Sequence, residues 1–335
     1  MKSFKGTVRP TTRTETPVQP GSRDPLSQKL TNLLTVVIPS IGRPSLKNAI
    51  ESCLGQDLPS KHKMEVVVVD NTMTGELREL IDHYTNRDPR IRYVHQPCKG
   101  FSCARNTGVE QGLGTYVAFL DDDEEACSGW AAALLRQAHR GACAVFGPIR
   151  ASFDAPLEYP EAERLFSRNL RCRDGSDVTR YRVNLGTGNS LFDRDVCFTS
   201  RPFFATELNH IGGEDSEFLM RLVDRGVRLI WAADALVVEH VPSHRVDPLR
   251  LSLRRFRNGQ VRSLVCFRSG GLRTLGGIAW MAAGVAQIVL FGLLSIVCQA
   301  FDHKRALHFR LKAAGGLGKV LWMRSFWMSS CDNSV

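Results

Sequence analysis

At 335 residues the chain is longer than a single domain of roughly 100 to 200 residues, so one large domain with appendages is expected. A formal charge of +10 and a pI near 9.3 ask for an anionic partner, whether nucleic acid, a phospholipid surface or a phosphorylated substrate. Ten cysteines include no CxxC pair, which excludes the usual zinc frameworks and fits reduced, mostly buried thiols.

Residues 1–30 are rich in Thr, Pro, Ser and Arg and hold no apolar stretch of signal-peptide length, so a disordered cytoplasmic tail is expected there. Strand-like and helix-like runs then alternate. Residues 33–39 (LLTVVIP) read as a strand, and Pro44 stands at the first turn of a helix whose Leu46, Ala49, Ile50, Cys53 and Leu54 recur at helical spacing. Residues 64–70 (MEVVVVD) form a second strand, 75–84 a helix, 91–95 a short strand, and 102–113 a helix leading into the apolar run 117–120. Such alternation predicts an α/β fold with a mostly parallel sheet flanked by helices, its strands ending along one edge. Asp70 and Asp121 both fall at strand ends and are expected to face one crevice.

Asp121, Asp122 and Asp123 follow that apolar run directly, with Glu124 and Glu125 behind them. Carboxylates packed this closely repel one another, so they are either fully solvated or neutralised by a cation. Oxygen ligands at i and i+2 at the carboxyl end of a parallel strand suit Mg²⁺ or Mn²⁺ shared with a diphosphate. A dinucleotide enzyme would place GxGxxG after its first strand, whereas the chain reads Pro39, Ser40, Ile41, Gly42, Arg43, Pro44; a Walker motif is missing too.

TVVIPSIGRP, EVVVVDN, KGFSCARNTGV, AFLDDDE, GTGNSLFDRDV and GGEDSEFLMRL occur in the order and at about the spacing of family 2 inverting glycosyltransferases of GT-A fold. The resemblance covers roughly residues 33–240, and locally it is similar to bacterial exopolysaccharide glucosyltransferases of the succinoglycan type. It implies a GT-A catalytic domain over 31–242, with 31–125 as the nucleotide-binding half and 126–242 as the acceptor half. It places Pro39 beside the nucleotide base, Asp70 as acceptor of a hydrogen bond from that base, and Asp121 with Asp122 and Arg105 around the nucleotide sugar. Asp123 and Asp121 match the DxD pair that holds a divalent metal, Mn²⁺ or Mg²⁺, and His240 is implied as a third ligand. Gly188 and Asn189 resemble the segment lining the acceptor pocket. Glu214 and Asp215 match the catalytic pair, with Asp215 as general base. The chain departs from the pattern at Ile41 and Gly42, where many members carry an aromatic residue and asparagine. It also lacks the QxxRW motif of processive members, which implies transfer of a single sugar; the sugar is expected to be a hexose such as glucose and the donor to be UDP-linked, with the sugar itself left open.

Beyond the catalytic motifs, eight arginines fall between 245 and 273 against the single acid Asp247, with Leu249, Leu253, Phe256, Leu264 and Phe267 at helical spacing. Residues 243–273 are thus expected as a basic amphipathic helix suited to an anionic membrane surface or a lipid diphosphate; the other reading is a solvated basic face. Residues 274–300 carry no charge and are long enough to span about 30 Å of hydrocarbon. The segment 274–301 is therefore expected as a transmembrane or re-entrant helix, completed as a hairpin by 317–328 or followed by a basic tail over 302–335. Basic residues on both flanks keep both at the cytoplasmic face of a bacterial inner membrane. The expected partners are a nucleotide-sugar donor, a lipid-linked oligosaccharide acceptor and an exopolysaccharide assembly complex, with no nucleic acid. The rival reading is a catalytically inactive sugar-nucleotide or polysaccharide-binding protein on the same fold.

Overall fold

The computed structural model describes residues 30–209 and 211–327; the tail expected over 1–30, apart from Leu30, and Cys331 lie outside them. The chain runs β1 (Leu30–Ser40), α1 (Leu46–Leu54), β2 (Lys63–Asp70), α2 (Arg78–Thr85), β3 (Ile91–His95), α3 (Phe101–Gln111), β4 (Gly114–Phe119), β5 (Glu124–Ala126) and α4 (Trp130–His139). It continues through β6 (Ala144–Phe146), β7 (Ile149–Phe153), α5 (Glu161–Phe166), β8 (Ser190–Asp193), α6 (Arg194–Cys197), α7 (Glu214–Asp224), β9 (Leu229–Trp231) and β10 (Val237–Val241). Three long helices follow: α8 (Pro248–Ser269), α9 (Arg273–Gln299) and α10 (His303–Val320).

Seven strands form one sheet in the order β3-β2-β1-β4-β8-β6-β9. β1, β2, β3 and β4 are parallel, whereas β8 runs antiparallel to both of its neighbours. The valine run of β2 explains its central place: Val66 and Val68 pack in the layer of α1 and α2, and Val67 and Val69 in the opposite layer. Both faces of the strand are buried, as a parallel sheet requires. The β1–β2 register pairs Ser40 with Asp70, and Val37 pairs with Phe119 across to β4, so three strands end at one edge. A second, three-stranded sheet, β5-β10-β7, crosses that edge directly after the aspartates.

The C-terminal helices form a bundle seated on this body. Asp247 caps α8 by accepting from Leu249 N and Arg250 N, with Pro248 in the first turn. Leu264 joins Ala205, Leu208 and Ile211 in one apolar cluster, and Leu251, Leu307 and Leu311 join Phe166 and Val241 in another. The tail expected over 302–335 is instead helical through Val320. α10 runs back along α9, with Ser295 Oγ donating to Ala306 O and Lys319 Nζ to Gln287 Oε1. Glycines make this possible: a Cβ on Gly259 of α8 would lie 2.2 Å from Gly315 O of α10. α9 is long and apolar enough to cross a membrane, and Ile278, Val289, Leu293 and Ile296 on it are exposed.

Candidate active site

β4 delivers the aspartates to the edge where β1 ends, and the three diverge. Asp122, nearly inaccessible, accepts from Ser40 Oγ (2.7 Å) and Ile41 N (3.4 Å) and pairs with Arg43. It therefore ties the triplet to the end of β1 and is removed from the nucleotide-contacting place expected for it. Asp123 takes Arg245 Nη1 at 2.7 Å and Arg43 Nη1 at 3.4 Å. Against the cost of its own burial, Asp123 and Asp122 push the Arg43 guanidinium above its usual range. Asp121 has the most open side chain of the three, 34% exposed.

Arg105, on α3, lies between the aspartates and the N-terminus of α7. It donates to Glu214 Oε1 at 2.5 Å, and its other terminal nitrogen lies 3.5 Å from Asp121 Oδ1. Both ends of the guanidinium thus face carboxylates, so Arg105 stands beside Asp121, as expected, but is engaged by the protein's own acids instead of being left open to the nucleotide sugar. Glu214 is buried and held up at about 7, chiefly by removal from water and then by Asp215, with Arg105 opposing the rise. Asp215 is half-exposed, and its Oδ1 accepts from Ser216 N at 2.6 Å. Gly213, at φ +93, closes the turn in front of it beneath Val261 of α8.

The loop 186–190 sits between these two groups. A Cβ on Gly186 would lie 3.0 Å from Asp215 Oδ2, and one on Gly188 would lie 2.8 Å from Asp121 Oδ2 and 3.1 Å from Glu124 Oε1. Glycine at both places lets backbone stand directly against the carboxylates. The loop is held from behind by Arg168, whose buried guanidinium donates to the carbonyls of Gly147, Gly186, Gly188 and Asn189. Burial lowers Arg168 to about 10, with Glu124 and Asp121 opposing the fall.

Several expected contacts are placed elsewhere. Asp70 is fully buried; Oδ1 accepts from Thr72 N and Thr72 Oγ1, and Oδ2 from Leu77 N and Tyr93 OH. With four donors already on it, the carboxylate fastens the β2–α2 turn and does not face a base. Asn189 is buried too, and its amide bridges Trp130 Nε1, Pro148 O and Ala235 O, so it stabilises the loop from inside instead of facing an acceptor. Pro39 is buried within the β1 ladder opposite Val69. Alternation along β10 turns Glu239 toward Asp123 and Arg245, while the ring of His240 meets Glu125 Oε2 at 3.0 Å. His240 N donates to Asp123 O, so the residue adjoins the aspartates without adding its ring to their cluster. Of nine described cysteines only Cys53, Cys103 and Cys197 are buried, fewer than expected.

Carboxylates are crowded at this edge. Asp121, Asp122, Asp123, Glu124, Glu214, Asp215 and Glu239 are coupled to Arg43, Arg105, Arg168, Arg245 and Arg254. Burial raises the carboxyls of Asp121, Asp122, Glu124 and Glu239 in the same way, Glu239 to about 7. Among the described residues no cluster of three side chains is arranged as a complete metal cage. Two carboxylates with the remaining ligands from a diphosphate and water is the donor set Mg²⁺ and Mn²⁺ accept. Asp121, the open carboxylate of the triplet, fits such an ion; Asp123 would have to offer Oδ1, since its Oδ2 takes Arg245 and Arg43. Arg43 and Glu124 lie inside the quoted motifs but no role is read for them there, Arg245 falls at the head of the basic run 245–273, and Arg168 and Glu239 carry no motif.

This edge, with acidic residues at the carboxyl ends of a parallel sheet and a second carboxylate pair facing them across a glycine loop, defines a nucleotide-sugar transferase of GT-A fold. Residues 35–205 match the family described as Glycosyl transferase family 2, and the chain belongs to it. It is 32% identical over 249 residues to succinoglycan biosynthesis protein ExoM of Rhizobium meliloti (strain 1021), covering 72% of this chain and 78% of that protein. It is 33% identical over 117 residues to the GalNAc(5)-diNAcBac-PP-undecaprenol beta-1,3-glucosyltransferase of Campylobacter jejuni, covering 34% of this chain and 37% of that one. Among solved structures, the mannosyltransferase PcManGT from Pyrobaculum calidifontis, in complex with GDP-Man and Mn²⁺, superposes with a TM-score of 0.56 at 18% identity, over 86% of this chain and 87% of that one. At that identity the likeness concerns the fold.

Proposed function

We propose that the chain is an inverting hexosyltransferase of exopolysaccharide synthesis, moving one sugar from a nucleoside diphosphate, UDP first among the candidates, to a lipid-linked oligosaccharide at the cytoplasmic face of the membrane. The observation that carries this reading is the placement of Asp121 and Asp215 against one glycine loop, with Arg105 between them. Donor and acceptor then meet over Gly186 and Gly188. The names of ExoM and of the undecaprenol-dependent glucosyltransferase support the polysaccharide and lipid parts, and the exposed apolar α9 beside a basic α8 supports attachment to an anionic membrane.

Asp215 takes the proton of the attacking acceptor hydroxyl, whose oxygen bonds to the anomeric carbon as the bond to the diphosphate breaks on the opposite face. One displacement inverts the configuration, and no covalent sugar–enzyme intermediate is formed. Glu214, held by Arg105, positions the turn that presents Asp215. Asp121 and Asp123 would hold the divalent ion, which when bound supplies Lewis-acid stabilisation to the leaving diphosphate. Arg43 and Arg245 flank Asp123 and hold it in place.

Membranes containing the protein, incubated with a panel of UDP-sugars, Mn²⁺ and extracted lipid-linked oligosaccharides, are expected to yield one labelled glycolipid. Asp215→Asn is expected to abolish that product while retaining donor affinity. Donor binding by the unaltered protein with no transfer to any acceptor would favour the inactive binding protein.

A further inference from the structure

Cys98 and Cys103 lie just before Arg105, and their Sγ atoms are 2.7 Å apart. That is within about 0.7 Å of the ~2.05 Å length of a disulfide bond. Among the described residues no second pair of cysteine sulfurs meets. Cys98 is exposed and Cys103 is buried in the first turn of α3. The approach is enforced from both sides. Cys98 N donates to Gln96 Oε1 at 2.9 Å, and Cys98 O accepts from Asn71 Nδ2 at 2.9 Å. Gly100 N donates to Asn71 Oδ1 at 2.8 Å, and Ser102 N to Asn209 Oδ1 at 2.8 Å. Asn209 Nδ2 in turn donates to Cys103 Sγ at 3.1 Å.

We propose that Cys98 and Cys103 form a redox modification site, a dithiol that closes to an intrachain disulfide under peroxide-class oxidants and reopens with thiol reductants. The cysteine pair takes no part in the transfer chemistry itself. The exposed Cys98 thiol gives its proton to solvent and the thiolate attacks one oxygen of hydrogen peroxide; the O–O bond breaks, the leaving hydroxide takes up a proton to become water, and Cys98 becomes a sulfenic acid. The Cys103 sulfur then attacks the Cys98 sulfur, the S–O bond breaks, and a second water leaves with the Cys103 proton. The two sulfurs have given up two electrons and peroxide has become two waters. The order follows from access: Cys98 is exposed and meets the oxidant first, whereas Cys103 is buried, which pushes its thiol up to about 11, and it resolves the oxidised neighbour because its sulfur is held 2.7 Å away. Reduction runs through a mixed disulfide with glutathione or a comparable thiol. Because Arg105 follows Cys103 by two residues on α3, closure fixes the segment that positions that guanidinium.

Trypsin provides the test, since Lys99 lies between the two cysteines. The full-length protein, first reduced and then exposed to hydrogen peroxide, is digested under non-reducing conditions and analysed by mass spectrometry. The peptides ending at Lys99 and beginning at Gly100 are expected to remain joined, to lack both alkylation sites, and to separate on addition of glutathione. Cys98→Ser should leave Cys103 fully alkylatable after peroxide, and Cys103→Ala should leave Cys98 as a sulfenic acid trapped by dimedone. Accumulation of Cys98 sulfinic acid with Cys103 still a thiol in the unaltered protein would overturn the proposal, as would Cys98 joined to any other cysteine.

Discussion

Arg105 and Glu214, 109 residues apart in the chain, are joined at 2.5 Å with side chains only 6% and 4% exposed. The contact fastens the helix that precedes the aspartates to the turn that carries Asp215. Removing the guanidinium would leave Glu214 beside Asp215 with no counter-charge in a dry site. Arg105→Met is therefore expected to lose transferase activity and to destabilise the fold by about 3–5 kcal/mol. Glu214→Gln keeps a hydrogen-bond acceptor and should cost only about 1 kcal/mol. Urea unfolding of the two variants checks the difference; equal losses would show that the charge pairing is not what holds the junction.

Gly188→Ala sets a methyl group 2.8 Å from Asp121 Oδ2 and 3.1 Å from Glu124 Oε1. Asp121 must move, so the expected result is weaker Mn²⁺-dependent donor binding, with an overpacking cost of about 1–3 kcal/mol. Titration calorimetry with the nucleoside diphosphate, with and without Mn²⁺, is the measurement. A variant whose affinity matched the unaltered protein in both conditions would place the donor away from Asp121.

The parallel half of the sheet was legible because its strands are buried on both faces and its helices repeat at 3.6 residues, so β1 through β4 appear in sequence within a few residues of their observed bounds. β8 was not, because a four-residue strand has too little pattern to separate from a loop, and its antiparallel insertion depends on partners far along the chain. At the site, Asp70 and the aspartates 121–123 could be read from their position after apolar runs, and Glu214 and Asp215 from the family resemblance. Of their counter-charges only Arg105 could be: Arg168 acts through four backbone carbonyls that only the folded loop brings together. α10 was concealed by its composition, since Gly315, Gly316 and Gly318 weaken helix propensity in the sequence yet admit close packing in the bundle.

Asp70 gives a pH-dependent signature. Burial alone would raise its carboxyl, but donors from Thr72, Leu77 and Tyr93 outweigh that and hold it below the usual value. A depressed native value contributes stability that is complete above the unfolded value of about 3.9 and is lost as pH falls through the lower native value. Asp70→Asn should destabilise the protein at neutral pH by about 1–3 kcal/mol, with the gap closing as the pH falls below about 4. Unfolding free energies across that range test the sign; a gap that widened on acidification would contradict it.

The proposed attachment to the membrane would draw on two contributions, the arginines of α8 and the apolar face of α9. If α9 enters the hydrocarbon, high salt should leave the protein in the membrane fraction, because burial of an apolar helix is not screened, whereas detergent should release it. Arg at Val289 or Leu293, both exposed on α9, should each cost about 2.5–3.5 kcal/mol of insertion and move protein to the soluble fraction. Charge reversal on α8, as in Arg257→Glu, should change the salt dependence of binding far more than the detergent requirement. Release of the unaltered protein by salt alone would show that the bundle lies on the surface and that the α9 face is covered by something other than lipid.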